Sequence, residues 1–246
     1  MYVAIDSGGT FTDFVIYENG RVSFYKKTST PENPANALIE GLKSRKGYEL
    51  LHGSTVATNA ILEGKIAKTC LITNKGFEDI LTIARQTRPE IYALEPAVPK
   101  SSINRADCFG ISGRVLHDGS ILEDIDEHEI DELSKSLEGY DSVAVCLLFS
   151  YVNPVHEEFV KSKLKNKFIS LSHNVSPEFR EYERATATVI NASIAPIMSQ
   201  YLNEISHKAK PEKFGVMMSS GGLTEAKNAI DTPIVTITSG PSAGVM

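Results

Sequence analysis

Asp6-Ser7-Gly8-Gly9-Thr10-Phe11-Thr12-Asp13 gathers two glycines, three hydroxyls and two carboxylates into eight residues. The segment lies between two apolar runs, Tyr2 to Ile5 and Phe14 to Tyr17, so it reads as the tip of a β-hairpin. Gly8 and Gly9 let backbone N–H groups converge on an anion, Thr10 and Thr12 add hydroxyls, and Asp6 stands at a strand end, placed to hold Mg²⁺ through water. These parts suit a nucleoside triphosphate; the plainer reading is an ordinary glycine-rich turn. Neither Gly-x-Gly-x-x-Gly nor Gly-Lys-Ser/Thr is present, and a strand rather than a helix follows, so this is not a Rossmann or Walker loop.

Other residues invite the same two-sided reading. His52-Gly53-Ser54-Thr55 closes a short strand and opens the apolar run Val56 to Leu62, in which Thr58 and Asn59 are set. Helix N-terminal N–H groups face a ligand in such an arrangement, or Ser54 and Thr55 simply cap the helix. Arg85 and Arg88, at the entry of a proline-punctuated stretch ending near Asn104, suit a carboxylate or phosphate, whereas most such arginines are merely solvated. Arg180, Glu181 and Arg184 lie in a charge-dense helix start and read either as surface ion pairs or as the lining of a cleft. Ser219-Ser220-Gly221-Gly222 and Ser239-Gly240-Pro241-Ser242-Ala243-Gly244 are two more small-residue loops after predicted strands. The acidic cluster Glu123-Asp124-Asp126-Glu127 is read as complementing a helix dipole rather than as a metal site.

The elements that must position these residues follow from the hydrophobic pattern. Asn19-Gly20 turns the chain into a third strand, Arg21 to Lys26, and helical spacing predicts a helix over 35–43. Strands are predicted at 48–51, 68–73, 142–149, 168–172, 213–218 and 234–238. A hairpin is predicted over 109–122, and helices over 56–62, 77–83, 123–137, 154–165 and from 176 to about 209, with Pro196 as a kink or break. Strands alternating with helices imply an α/β fold with a mostly parallel sheet, opened by an antiparallel hairpin.

A chain of 246 residues with 41% hydrophobic residues suffices for a folded core, as one large domain or two smaller ones. The net charge of −6 argues against a nucleic-acid partner, and Lys161 to Lys167 reads as a solvated helix end. Three widely spaced cysteines make no disulfide framework and point to a reducing cytoplasm. No signal segment or membrane-length apolar run is seen, and the six histidines show no metal-ligand spacing.

Taken together, the blocks Asp6 to Asp13, His52 to Ala60, Arg85 to Pro89, Asn153 to Glu157, Arg180 to Arg184, Ser220 to Leu223 and Ser239 to Gly244 resemble, in order, the N-terminal part of the hydantoinase A and 5-oxoprolinase family. The resemblance implies an RNase H-like fold of the actin, sugar kinase and Hsp70 ATPase type, a mixed sheet with helices on both faces. It implies a first lobe over 1–175, followed over 176–246 by a long helix and the start of a second lobe. Gly113 stands where the family pattern has an acidic residue, and no second Asp-x-Gly-Gly-Thr loop follows, so the chain reads as the front part of a longer protein, inactive by itself.

The activity implied is ATP-dependent opening of a cyclic amide such as 5-oxoproline or a hydantoin, through phosphorylation of the amide oxygen and attack of water. On that resemblance Asp6, Gly8, Gly9, Thr10, Thr12, Asp13 and Gly240 serve the phosphates of ATP, with Mg²⁺ at Asp6. Thr55, Asn59, Arg85, Arg88, Arg180, Glu181 and Arg184 are the substrate-side candidates, without an assigned general base. A second hydantoinase subunit is the implied partner, and apolar surface left open would favour a homodimer. The alternatives are a catalytically incomplete binding or assembly module, and a small-molecule kinase of the same superfamily.

Overall fold

The computed structural model describes residues 1–30, 32–87, 90–95, 101–164 and 168–239. In chain order the elements are β1 (Tyr2–Ser7), β2 (Phe11–Glu18), β3 (Arg21–Thr28), α1 (Pro34–Leu42), β4 (Glu49–Ser54), α2 (Val56–Leu62), β5 (Thr69–Asn74) and α3 (Ile80–Ile83). A 3-10 turn (Arg105–Asp107) leads into β6 (Cys108–Ile111), β7 (Arg114–Val115), β8 (Ile121–Glu123), α4 (Glu127–Ser136), β9 (Ser142–Val145), α5 (Val155–Lys163), β10 (Phe168–Leu171) and α6 (Ser172–Val175). The chain continues through α7 (Glu181–Ala209), β11 (Lys213–Met217), β12 (Leu223–Glu225), α8 (Ala226–Asp231) and a 3-10 turn (Pro233–Thr236). Contacts divide it into two units, one made of Met1–Ile66 with the chain from Ile194 onward, the other of Ala67–Ser193.

In the first unit six strands pair in the order β12-β11-β4-β1-β2-β3. The pairs β1–β4 and β4–β11 are parallel; β1–β2, β2–β3 and β11–β12 are antiparallel. Asn19 and Gly20 both have positive φ, 49° and 77°, the backbone that a two-residue turn between twisted strands requires. Because strand side chains alternate, Val3, Ile5 and Ser7 share one face with Ile16, Phe14 and Thr12. That face buries its apolar members against Leu38 and Leu42 of α1, Val56 of α2, Met198, Leu202 and Ile205 of α7, and Ala229 of α8. The opposite face carries Tyr2, Asp6, Tyr17, Val15, Asp13 and Phe24, and Phe24 is 84% exposed.

The second unit holds the sheet β10-β9-β5-β6, parallel throughout. Every residue of β5 and β9 is buried, which is why the stretch from Ser142 reads as a near-continuous apolar run, while β5 buries Thr69, Thr73 and Asn74 beside its apolar Cys70, Leu71 and Ile72. Cys70, Ile72, Val143 and Val145 meet Ile130 and Leu137 of α4 and its C-cap, and Val160 of α5, on one face. Leu71 and Ala144 meet Leu81 of α3 and Ala185, Val189 and Ala192 of α7 on the other. Helices thus lie on both faces of this sheet.

Several boundaries differ from the sequence-based expectations. The stretch 234–238 is not a strand: Pro233 lacks an N–H, Thr236 Oγ1 donates to the Pro233 carbonyl at 2.7 Å, and the chain winds into a 3-10 turn. The hairpin expected over 109–122 is two things, since β6 joins the parallel sheet beside β5 and only β7 and β8 pair as a hairpin. Helix α4 begins at Glu127 because the Asp126 carboxylate accepts from His128 N–H at 2.9 Å and caps it. The strand from Ser142 ends at Val145, and α7 runs unbroken through Pro196.

Candidate active site

Strands β1, β4 and β11 run parallel, so the loops that follow Ser7, Ser54 and Met217 all leave the same sheet edge. The hairpin tip is laced to this edge. Gly8 N–H donates to Phe11 O at 3.0 Å, Ser29 Oγ donates to Gly8 O at 2.7 Å, and Ser29 N–H donates to Thr10 O at 2.9 Å. A Cβ on Gly8 would stand 3.2 Å from Phe11 O, so the tight closure favours glycine there. Thr55 bonds Ser7 O through both its N–H, at 3.1 Å, and its hydroxyl, at 3.2 Å, tying the start of α2 to the end of β1. Asn59, one turn along α2, donates to Thr55 Oγ1 at 3.3 Å, and its amide nitrogen faces Gly9. Ser54 Oγ accepts from Val56 N–H, so it is Ser54, not Thr55, that caps the helix through its side chain.

Between these groups and α7 lies a cavity of about 410 Å³. Gly8, Gly9, Thr55 and Asn59 line it, joined by Ser7 from β1 and by Gln200, Tyr201 and Glu204 from α7. Asn33 caps α1 through Ala35 N–H and donates to both Glu204 carboxylate oxygens at 3.2 Å, holding α7 against the cavity's other wall.

The two faces of the hairpin present different chemistry. Asp6 and Asp13 are directly opposed across β1 and β2 on the face away from Ser7 and Thr12. Local burial, and after it the Asp13 charge, hold the Asp6 carboxyl above its usual range, while Lys26 pairs with Asp13 at 3.1 Å. Two neighbouring carboxylates at a strand end suit Mg²⁺, which takes one or two carboxylates and completes its shell with water and phosphate. Thr12, expected on the phosphates, is fully buried; its hydroxyl is 3.0 Å from Ser29 Oγ. Thr10 is exposed at the tip.

The charged candidates fall in the second unit. Arg85 is exposed and pairs with Glu183 at 2.6 Å, and that partner, first among its influences, holds the Glu183 carboxyl below its usual range. Arg180 has φ of 89° and lies over the Phe179 ring, 5.4 Å from its centroid, immediately before Glu181 opens α7. Arg184 has no exposed surface. Its guanidinium donates to the carbonyls of Leu147 and Ser176 and to the hydroxyls of Ser150 and Ser172, and it stacks over Tyr151. Glu157, equally buried, accepts from Ser172 Oγ, Leu147 N–H and the His173 N–H and ring. Burial pushes the Glu157 carboxyl up, but these bonds together pull it below the ordinary glutamate value. Arg184 is therefore spent on the chain's own groups. Arg88 and Gly240 lie outside the described residues.

Sequence reasoning gave no site role to Tyr201, which lines the cavity, or to its buried partner His52. His52 is fully buried; one ring nitrogen is 3.2 Å from Ile5 O and the other 2.8 Å from Tyr201 Oη. Desolvation pulls its imidazole down to about 4, against the opposing effect of its bond to Ile5 O. The signal available was His52 in an otherwise apolar strand, since polar residues are buried when something inside answers them.

A mixed α/β fold opened by a glycine hairpin, with helices over its sheets, is the fold of the actin-like ATPases. Superposition agrees: the nucleotide-free structure of an acetone carboxylase, described as carrying out ATP-dependent acetone carboxylation, matches with a TM-score of 0.86 at 25% identity over 99% of this chain and 39% of its own. The ATP-dependent caprolactamase of Pseudomonas jessenii matches with a TM-score of 0.84 at 28% identity, again over 99% and 39%.

The profile of the hydantoinase/oxoprolinase N-terminal region matches residues 2–168, and that of hydantoinase/oxoprolinase matches 184–246. The chain belongs to the hydantoinase/oxoprolinase family. Among curated relatives, an uncharacterized protein of Methanocaldococcus jannaschii is 36% identical over 99% of this chain and 39% of its own length. The caprolactamase subunit alpha of Pseudomonas jessenii is 30% identical over 98% and 38%, and the 5-oxoprolinase of Saccharomyces cerevisiae 29% identical over 99% and 23%. The chain thus spans well under half the length of these relatives.

Proposed function

We propose that this chain supplies a nucleotide-and-substrate site of an ATP-dependent cyclic-amide hydrolase. The observation that carries the reading is the single cavity that Gly8 and Gly9 of the hairpin share with Thr55 and Asn59 of the α2 start. The Gly8 amide is committed to Phe11 O, so the amides of Gly9 and Thr10 at the tip are the ones offered to phosphate. Asp6 and Asp13 would hold Mg²⁺ on the hairpin face away from the cavity, and the ring would sit inside it. ATP would supply a phosphoryl group to the amide oxygen, removing the resonance that keeps the carbonyl carbon unreactive; water would add to that carbon, the ring C–N bond would break with the nitrogen leaving protonated, and a second water would release phosphate from the acyl phosphate so formed. The chain's own part is positioning and charge neutralisation, which carry most of the catalysis in phosphoryl transfer. The exposed pair Arg85 and Glu183 and the nearby Arg180 belong to the second unit and are given no part in the cavity; buried Arg184 is assigned to holding the fold. Along the sequence, 1–175 is proposed as the first lobe and 176–246 as the start of the next, a division by chain order that differs from the two contact units, and a second subunit is the proposed partner.

The test is ATP turnover by the full gene product with 5-oxoproline, hydantoin or ε-caprolactam, following both phosphate release and ring opening. Ring opening stoichiometric with phosphate supports the hydrolase. A stable phosphorylated product with no opened ring would make the protein a small-molecule kinase, and no ring-dependent turnover would remove the enzymatic reading.

A further inference from the structure

The cavity lining carries more acid than base. Glu32, Glu63 and Glu204 lie on it, and among the described lining residues Lys65 is the one cation. Lys65 already pairs with Glu63 at 2.7 Å, and both side chains are more than half exposed, so solvent screens that pair. Glu204 differs, because its side chain is 16% exposed and its carboxylate is fixed from two sides. Asn33 donates to both oxygens at 3.2 Å, and Lys208, one turn along α7 and outside the lining, donates to one of them at 2.7 Å. That lysine, first among its influences, holds the Glu204 carboxyl below its ordinary range, so Glu204 is ionised at neutral pH.

Glu204 also stands where a bound carboxylate would otherwise be favoured. The positive end of a helix dipole draws anions, and Asn33 and Pro34, at the start of α1, line the cavity. The first amides there are already taken. Pro34 has no N–H, the Ala35 N–H donates to Asn33 Oδ1 at 3.0 Å, and the Asn36 N–H donates to Asn33 O at 3.1 Å. Asn33 in turn holds Glu204, so the protein itself supplies the negative charge at this helix start. Other polar residues of the lining, such as Thr55, Asn59 and Gln200, are uncharged.

We infer that Glu204 makes the cavity selective for an uncharged cyclic amide and against a ring that bears a carboxylate. Resting on the proposed function, this names the substrate class as a plain lactam or hydantoin rather than an amino-acid-derived acid. Glu204 acts through its charge: an entering carboxylate would meet a fixed like charge where solvent screens it poorly. The phosphates are assigned to the hairpin tip rather than to α7, so the bias falls on the ring.

The experiment compares 5-oxoproline with 5-oxoprolinamide, which replaces the carboxylate by an uncharged group of nearly the same size, and with 2-pyrrolidinone, which lacks it. Each is offered to the full gene product with ATP, as a substrate or as a competitor of whichever ring turns over. The native protein is expected to take the amide at least about tenfold more tightly than the acid, because like charges brought together in a partly shielded site repel. That ratio should shrink as salt is raised from about 0.05 M to about 0.5 M, while 2-pyrrolidinone responds little. Glu204→Gln, which keeps an oxygen for Asn33, is expected to bring acid and amide close to one another. If Glu204 only braces α7, the variant lowers turnover on every ring and leaves the ratio as it was, and that result overturns the inference. Equal affinity for acid and amide in the native protein, or preference for the acid, also overturns it while leaving the hydrolase reading standing. If no ring is opened, ε-caprolactam and hydantoin included, the hydrolase reading fails first and this assignment falls with it.

Discussion

A buried neutral histidine carries a pH signature. His52 titrates near 6.5 when unfolded and near 4 when folded, so the folded state binds fewer protons between those values. Its contribution is fully present above pH 6.5 and is lost as pH falls from there toward 4, below which no further loss accrues. At about 1.4 kcal/mol per unit, the loss amounts to roughly 3 kcal/mol. Urea midpoints measured at pH 7.5 and pH 4.5 should differ accordingly, and His52→Gln should flatten that part of the difference. Equal pH sensitivity in native and variant would show that the imidazole is charged in the fold. His173 works in the opposite sense. Glu157, as its hydrogen-bond partner, raises the His173 imidazole, so that contribution is present at low pH and fades as pH rises through the folded value.

At the scale of elements, Arg184 is the point at which four segments of the second unit converge: the end of β9, the turn at Ser150, α6 and α7. Removing it leaves Glu157 with a buried charge whose remaining cationic partner among the described residues is His173, so Arg184→Ala should cost about 3–5 kcal/mol in urea unfolding. A cost below about 1 kcal/mol would mean that water replaces the guanidinium. Much of this architecture was legible in the sequence for a physical reason: Asn19-Gly20, the alternation through β1 and β2, and the apolar run that begins with β9 are local signals. The hairpin and the Thr55–Asn59 turn were legible in the same way, because each is short and self-contained. Tyr201 and Glu204 were not, since helical periodicity marks which side of α7 is apolar but not which strand-end loop it will meet some 190 residues earlier in the chain. The 3-10 turn at Pro233 escaped because Ile234-Val235-Thr236-Ile237 has the composition of a strand, and only the missing proline N–H argues otherwise.

For the whole molecule, nucleotide binding should register as stability, because a ligand that binds only the folded state shifts unfolding by mass action. At a concentration one hundred times its Kd, Mg²⁺·ATP should add about 2.7 kcal/mol. For a chain of this length that corresponds to a rise of roughly 5–10 °C in Tm, readable by calorimetry. A metal dependence is expected from the opposed carboxylates Asp6 and Asp13. Asp6 is held above its ordinary range by burial and by Asp13, so a cation between them relieves repulsion that the free protein carries. Chelating Mg²⁺ with EDTA while ATP is kept should abolish most of the rise. Asp6→Asn removes the same repulsion without metal, so it should leave the Tm without nucleotide unchanged or slightly higher and yet lose the Mg²⁺-dependent part of the shift. An equal rise with and without Mg²⁺ would detach the carboxylate pair from the nucleotide. No rise at any ATP concentration would remove the hairpin from phosphate binding and leave Gly8 and Gly9 as a turn that glycine merely allows to close.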